Sequence, residues 1–375
     1  MQQKIHFECD YTEGAHPRIL ERLVETNMEQ TVGYGEDPYC QKAAELIRGL
    51  CKKEEAAVHF LVGGTQANLT VISALLRPYQ AAVCVETGHI NVHETGAIEA
   101  VGHKVISVPG KDGKLTAEDV ARVHRLHWED ATHEHMPQPK LVYISNPTET
   151  GTIYTKAELE ALRAVCDRCG LYLFLDGARL GYGLAAADND LDLESIAENC
   201  DVFYIGGTKM GALFGEAVVI CNPKLQEDFR YLIKQKGGML AKGRLLGIQF
   251  FELLQDGLYF ELGEHAVKLA QKLREGLLQA GYVMQDSTTN QQFVTVSDEE
   301  LKKIEEKYCV SYIERAGENQ NVIRLCTSWA TTEENVEQFL RDAAHAREIK
   351  AAGAKYCDCP ACEAVEAILE KKELL

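Results

Sequence analysis

Basic residues are in deficit: 39 Lys and Arg stand against 57 Asp and Glu, which leaves a formal net charge of -18. Phosphate backbones and anionic bilayers are bound through basic footprints, so neither a nucleic acid nor a membrane is expected as a partner. No apolar run approaches the roughly 18 residues of a membrane span, and the start, MQQKIHFECD, lacks the apolar centre of a secretory leader. A cytoplasmic protein is expected. Cysteine is plentiful but unpatterned. The 13 thiols are odd in number and scattered along the chain, which reads as reduced core thiols and not as a disulfide framework. No GxGxxG follows the first strand, which disfavours a dinucleotide fold.

What is present is a chain of 375 residues, 46% apolar, long enough for a large core and for two domains or one α/β unit with an appendage. From Ala56 to Cys221 strands and helices alternate, with seven candidate strands, as in a mainly parallel sheet covered on both faces. Two of these strands end on reactive groups. Leu171 to Leu175 runs into Asp176, and Val202 to Ile205 runs into Gly206-Gly207-Thr208-Lys209. Ligands of open α/β sheets bind outside the carboxyl ends of the strands, so the carboxylate and the amine are expected in one crevice. An amine that can bond to an aldehyde, beside an anion that can keep a ring nitrogen protonated, suits pyridoxal 5'-phosphate. Ala56 to Val62 is followed by Gly63-Gly64-Thr65 at the start of a helix, where backbone amides and the Thr65 hydroxyl make a phosphate cradle.

The motifs DGARLGYGL and GGTKMG, with GGTQAN (Gly63 to Asn68), GYGEDP (Gly33 to Pro38), GHINVHETG (Gly88 to Gly96) and VIRLCTSWATTEE (Val322 to Glu334), resemble the threonine aldolase family from about Phe7 to Leu340. The resemblance implies a pyridoxal-phosphate-dependent transferase-like fold of the aspartate aminotransferase type (fold type I), with a seven-stranded mainly parallel sheet and a smaller α+β C-terminal domain. Residues 15–255 are expected to form the large domain, residues 1–14 with 256–350 the small one, and residues 351–375 a tail that holds Cys357, Cys359 and Cys362. The implied activity is aldol cleavage of β-hydroxy-α-amino acids, threonine or allo-threonine first, to glycine and an aldehyde. Homodimers or homotetramers with shared active sites are implied as well.

Carried over position by position, the resemblance gives Lys209 the cofactor linkage, Asp176 the ring nitrogen, and Gly64, Thr65 and Thr208 further cofactor contacts. His89, just past the strand Ala82 to Glu86, would stack on the ring, where it can also serve as a catalytic base. Arg179 would lie beside the cofactor hydroxyl and the substrate. Arg324 would grip the substrate carboxylate, for which a planar bidentate donor suits better than a lysine. Tyr34 sits in a loop that relatives lay across a dimer interface, and Cys9 replaces a serine that lies near the substrate carboxylate. Two departures matter. The loop Asn146 to Gly151 lacks the family's catalytic histidine and reads Pro147-Thr148-Glu149, which leaves the base open, and a characteristic arginine after Gly238-Met239 is Leu240, with Lys236 as its candidate replacement.

No metal site is expected. His89 and His93 lack a third ligand at matching spacing, and His127, His133 and His135 read as part of a surface loop. Because lysine and fold do not choose which bond at Cα breaks, β-elimination and transamination stay open beside aldol cleavage. A reading of another class is a non-catalytic relic with a thiol-rich, metal-binding tail.

Overall fold

In the computed structural model, which describes residues 4–351, the buried runs close into one seven-stranded sheet. Its order is Ala57–Leu61, Glu216–Ile220, Val202–Gly206, Tyr172–Asp176, Gln138–Ser145, Gln80–Val85, Lys104–Val108. Glu216–Ile220 runs antiparallel to both of its neighbours, and every other pairing is parallel. The strands Gln80–Val85, Val202–Gly206 and Glu216–Ile220 are buried at every position, because helices cover both faces. Alternation sorts their side chains. Val142, Ile144, Leu173, Leu175, Phe203 and Ile205 join the core on one face, while Leu141, Tyr143, Phe174, Val202 and Tyr204 join the core on the other.

Several helices begin on side-chain caps. Asp37 accepts from the amides of Tyr39 and Cys40 at the start of Pro38–Cys51, and Thr116 and Thr155 close capping boxes with Asp119 and Glu158. The loop reading of residues 126–129 is corrected: the helix Ala117–Glu129 continues through Leu126, His127 and Trp128, and only His133–His135 forms a short 3-10 turn beyond it. His127 turns inward and packs edge-on against Trp128, with ring centroids 5.1 Å apart.

A third core unites Phe7 with Val294, Ile323, Leu325, Val336 and Phe339 around a four-stranded antiparallel sheet ordered Ser311–Gly317, Gln320–Cys326, Gln291–Ser297, Val283–Met284. The helix Leu258–Gln279 ties the cores together: Tyr259, Leu262 and Ala266 belong to the first, and Leu269, Leu273 and Leu277 to the third. At the chain's start, Ile5–His6 pairs in parallel with Tyr308–Cys309. The Cys326 amide, donating to the Phe7 carbonyl at 2.8 Å, then ties this segment to the four-stranded sheet. Cys357, Cys359 and Cys362 lie outside the described residues.

Candidate active site

Asp176 ends the strand Tyr172–Asp176 as a buried carboxylate. Its Oδ2 accepts from Tyr143 Oη at 2.5 Å and Asn68 Nδ2 at 3.1 Å, and its Oδ1 accepts from the Ala178 amide at 3.0 Å. Burial works against the charge, but the facing His89, the hydroxyls of Tyr143 and Tyr204 and the Ala178 amide together hold the carboxyl below its ordinary range. Every group that hydrogen-bonds it is a neutral donor. A buried anion so held is suited to a cationic ring nitrogen, which is the partner pyridoxal phosphate presents.

His89 opens a short helical turn, His89–Val92, after a three-residue connection from the strand Gln80–Val85. Its Nδ1 lies 2.7 Å from Glu94 Oε1, and Glu94 also accepts from Asn68 Nδ2 at 2.7 Å. Asn68, three residues into the GGTQAN turn from Thr65, thus bridges Glu94 and Asp176. Burial disfavours a charged imidazole here, yet the bond to Glu94 and the fields of Asp176 and Glu149 prevail and raise the His89 pKa.

The cradle is open. The helix Gly64–Leu75 has no side-chain cap at its start, and Thr65 is exposed there, so its first amides are available to an anion. A Cβ on Gly64 would come within 3.1 Å of Tyr204 Oη, the hydroxyl that also supports Asp176. Gln66 of the same turn donates to the Lys236 carbonyl at 3.2 Å, which seats the KQKGGM segment beside the cradle.

Thr208 and Lys209 follow the strand Val202–Gly206. The Thr208 hydroxyl is engaged inside the turn: it donates to Glu216 Oε1 at 3.0 Å and accepts from the Gly215 amide at 3.0 Å. Burial pushes the Glu216 carboxyl up to about 8. Lys209 Nζ stands 6.0 Å from the centroid of the Tyr11 ring.

Arg179 is buried and gripped at two points, with Nε 2.7 Å from Asp10 Oδ2 and Nη2 3.1 Å from Asp10 Oδ1. Asn290 Nδ2 donates to the same carboxylate at 2.9 Å. Despite full burial, Arg179 and Lys209 hold Asp10 down to about 2. The carboxylate of Glu149 stands 3.8 Å from Arg179 Nη1, only part-exposed. Arg324 is part-buried on Gln320–Cys326, on the face it shares with buried Val322 and Cys326 and opposite to Ile323 and Leu325, donating to Gln291 Oε1 at 3.2 Å and to the Glu8 carbonyl at 3.2 Å, while its buried Nε makes no hydrogen bond. Cys9 is half-buried, and burial raises its thiol pKa. Tyr34, in a left-handed turn at φ 62°, is seated instead against Lys234, Arg230 and Ala241.

Asp176, His89, Arg179 and Lys209 therefore share one electrostatic neighbourhood, to which the fold adds Asp10, Asn68, Glu94, Tyr143 and Glu149. Asn68 and Glu94 lie inside quoted motifs, and Glu149 inside the loop that lacks a histidine, so the sequence held a cue for each. Asp10 follows Cys9, but nothing local to it signals Arg179.

The beta-eliminating lyase family model matches residues 7–358. The chain belongs to that family. A low specificity L-threonine aldolase of Pseudomonas aeruginosa is 31% identical over 342 residues, covering 90% of this chain and 96% of the relative. Among solved structures, a threonine aldolase of Leishmania major is 46% identical with a TM-score of 0.89, covering 92% of this chain and 99% of that one. An aspartate aminotransferase of Thermus thermophilus matches with a TM-score of 0.67 at 17% identity over 92% of this chain and 91% of that one. This last likeness shows the fold: the beta-eliminating lyase chain has the aspartate aminotransferase architecture.

Proposed function

We propose that this lyase cleaves β-hydroxy-α-amino acids, threonine and allo-threonine first, to glycine and an aldehyde, with pyridoxal phosphate as cofactor. The observation that carries the reading is Asp176, a buried carboxylate held ionised by the facing His89 and by neutral hydrogen-bond donors, in a chain akin to threonine aldolases over nearly its whole length. Bound there, the cofactor would supply an electron sink for the pair left on Cα as the Cα–Cβ bond breaks. Lys209 would hold it covalently, Gly64 and Thr65 its phosphate, and Asp176 its ring nitrogen, with His89 against the ring. Arg324 would receive the substrate carboxylate on the edge that carries its unbonded Nε.

The base is assigned to Glu149. His89 is tied through Nδ1 to Glu94 and surrounded by carboxylates that favour its protonated form, and a protonated imidazole accepts no proton. Glu149 makes no hydrogen bond to the described residues, lies on the loop just beyond Ser145 and stands between Arg179 and the His89 field. It is placed to take the β-hydroxyl proton. The test is threonine and allo-threonine cleavage by Glu149→Gln and Glu149→Asp beside the unaltered chain. Glu149→Gln is expected to lose about 10² to 10⁴ in turnover, with Glu149→Asp retaining part. Unchanged turnover in Glu149→Gln would return the base to His89, and product screens yielding pyruvate or keto acid in place of glycine would replace aldol cleavage by elimination or transamination.

The large and small domains are proposed to divide as residues 15–255 and 1–14 with 256–350. We also place the protein in the cytoplasm, as a homodimer or homotetramer. No helix among the described residues is long and apolar enough to cross a membrane. Val24, Met28, Val32 and Tyr34 form an exposed apolar stretch, 77%, 87%, 62% and 46% exposed, which supports burial against a second copy. Sedimentation of Met28→Glu beside the unaltered chain tests this, since a surface not used in assembly leaves the mass unchanged.

A further inference from the structure

Outside the candidate active site, three side chains of metal-ligand type converge on the junction between the chain's start and the small sheet. The parallel pairing sets His6 opposite Cys309, so their side chains emerge on the same face, and Glu8 follows two residues after His6 on that side. Phe7, between them, points the other way and is fully buried, 5.4 Å from Phe339 by ring centroids. One ligand atom each from His6, Glu8 and Cys309 lies within 4.8 Å of the others. Among the described residues this is the one group of three or more His, Cys, Asp or Glu residues that meets this distance.

The carboxylate shows a second, independent sign. Glu8 Oε1 lies 2.8 Å from His6 Nδ1, but its Oε2 is shielded from solvent and has no hydrogen-bond partner. A buried carboxylate oxygen without a donor is costly, and a cation answers it better than a further hydrogen bond would. The side chain of His6 is 41% exposed, so an ion arrives from solvent without opening the fold.

We propose that His6, Glu8 and Cys309 form a site for a borderline-soft divalent cation of the zinc class. Imidazole nitrogen, carboxylate oxygen and thiolate sulfur are the zinc donor types, and three protein ligands leave a fourth position for water. Tetrahedral bonds of about 2.0–2.3 Å separate donors by about 3.3–3.6 Å, within reach of side-chain rotation from the observed spread. On binding, Cys309 gives up its thiol proton and the Glu8 oxygen now bonded to His6, or its free neighbour, turns to the metal. The site also bears on the small sheet. The Glu8 carbonyl accepts from Arg324 Nη2 and, at 2.6 Å, from Ser311 Oγ, and Asp10 two residues on holds Arg179. An ion at Glu8 therefore fixes the peptide on which both arginines rest.

The test is a titration of the full-length, metal-free holoprotein with Co²⁺ as probe, read by difference spectroscopy for tetrahedral cobalt bands and thiolate-to-cobalt charge transfer. The same titration is run on Cys309→Ser, on His6→Gln, and on a variant with Cys357, Cys359 and Cys362 all changed to Ser. One equivalent is expected to bind with a thiolate signature. That signature should vanish in Cys309→Ser, weaken by at least about tenfold in affinity in His6→Gln, survive in the tail variant, and be displaced by Zn²⁺. A signature that survives in Cys309→Ser and disappears with the tail cysteines overturns the proposal, as does a titration with no thiolate band. Unchanged far-ultraviolet dichroism in Cys309→Ser separates loss of a ligand from loss of the fold.

Discussion

Asp10→Asn removes one charge from a fully buried pair and leaves the other in place. Among the described residues, Arg179 would keep Glu149 at 3.8 Å as its only acidic neighbour within ion-pair distance, and an uncompensated buried guanidinium of this kind costs about 3–5 kcal/mol. Glu149 takes up part of the charge, so the lower end, about 3 kcal/mol, is expected. The wild-type pH dependence gives a second measure. The carboxyl of Asp10 lies at about 2 in the folded protein against an ordinary 3.8, so unfolding takes up a proton in that range. The resulting stabilisation, about 2 kcal/mol, is fully present above pH 4 and is lost as pH falls toward 2. Urea unfolding of cofactor-free protein at pH 7 and at intervals down to pH 2 reads both, because the cofactor's mass-action contribution is then removed. The gap between wild type and Asp10→Asn should be widest at neutral pH and shrink in acid. A gap within about 0.5 kcal/mol at pH 7, or one that does not narrow, refutes the account of Asp10. Pairing Asp10→Asn with Arg179→Met should recover stability relative to Asp10→Asn alone, since no unpaired charge remains.

Lys209→Ala is expected to fold normally and to lose covalent cofactor, and mass spectrometry after borohydride reduction of the unaltered chain should find the label on Lys209; label on another lysine removes the assignment. Asp176→Asn should retain the cofactor but lose most turnover, because an amide does not favour a protonated ring nitrogen, and full turnover would leave Asp176 a structural residue. Arg324→Lys replaces a two-pronged donor with a point charge and should lower threonine cleavage efficiency roughly ten- to a hundredfold, or about 1.5–3 kcal/mol, with cofactor affinity nearly unchanged. Equal loss of cofactor affinity would move Arg324 from the substrate to the cofactor.

Local chemistry made much of the molecule legible before any coordinates. Short continuous apolar runs that end on polar residues locate Asp176 and Lys209. Thr116 and Thr155 announce their helices because a cap and its partner lie three residues apart. The run of leucines from Leu262 to Leu277 marks one buried helix face. Each of these signals is complete within a few residues. The partnerships that tune the site are not local in this way. Asp10 meets Arg179 across 169 positions and Asn290 across 280, and Asn68 reaches Asp176 across 108. The Thr208 hydroxyl turns inward only because the antiparallel neighbour strand brings Glu216 beneath it. His6 and Cys309 become neighbours through a two-residue parallel register that no periodicity in either segment reveals. The residue types and their strand-end positions are properties of the sequence, whereas which charge faces which is set by strand order and packing, because electrostatic fields act through space and not along the chain.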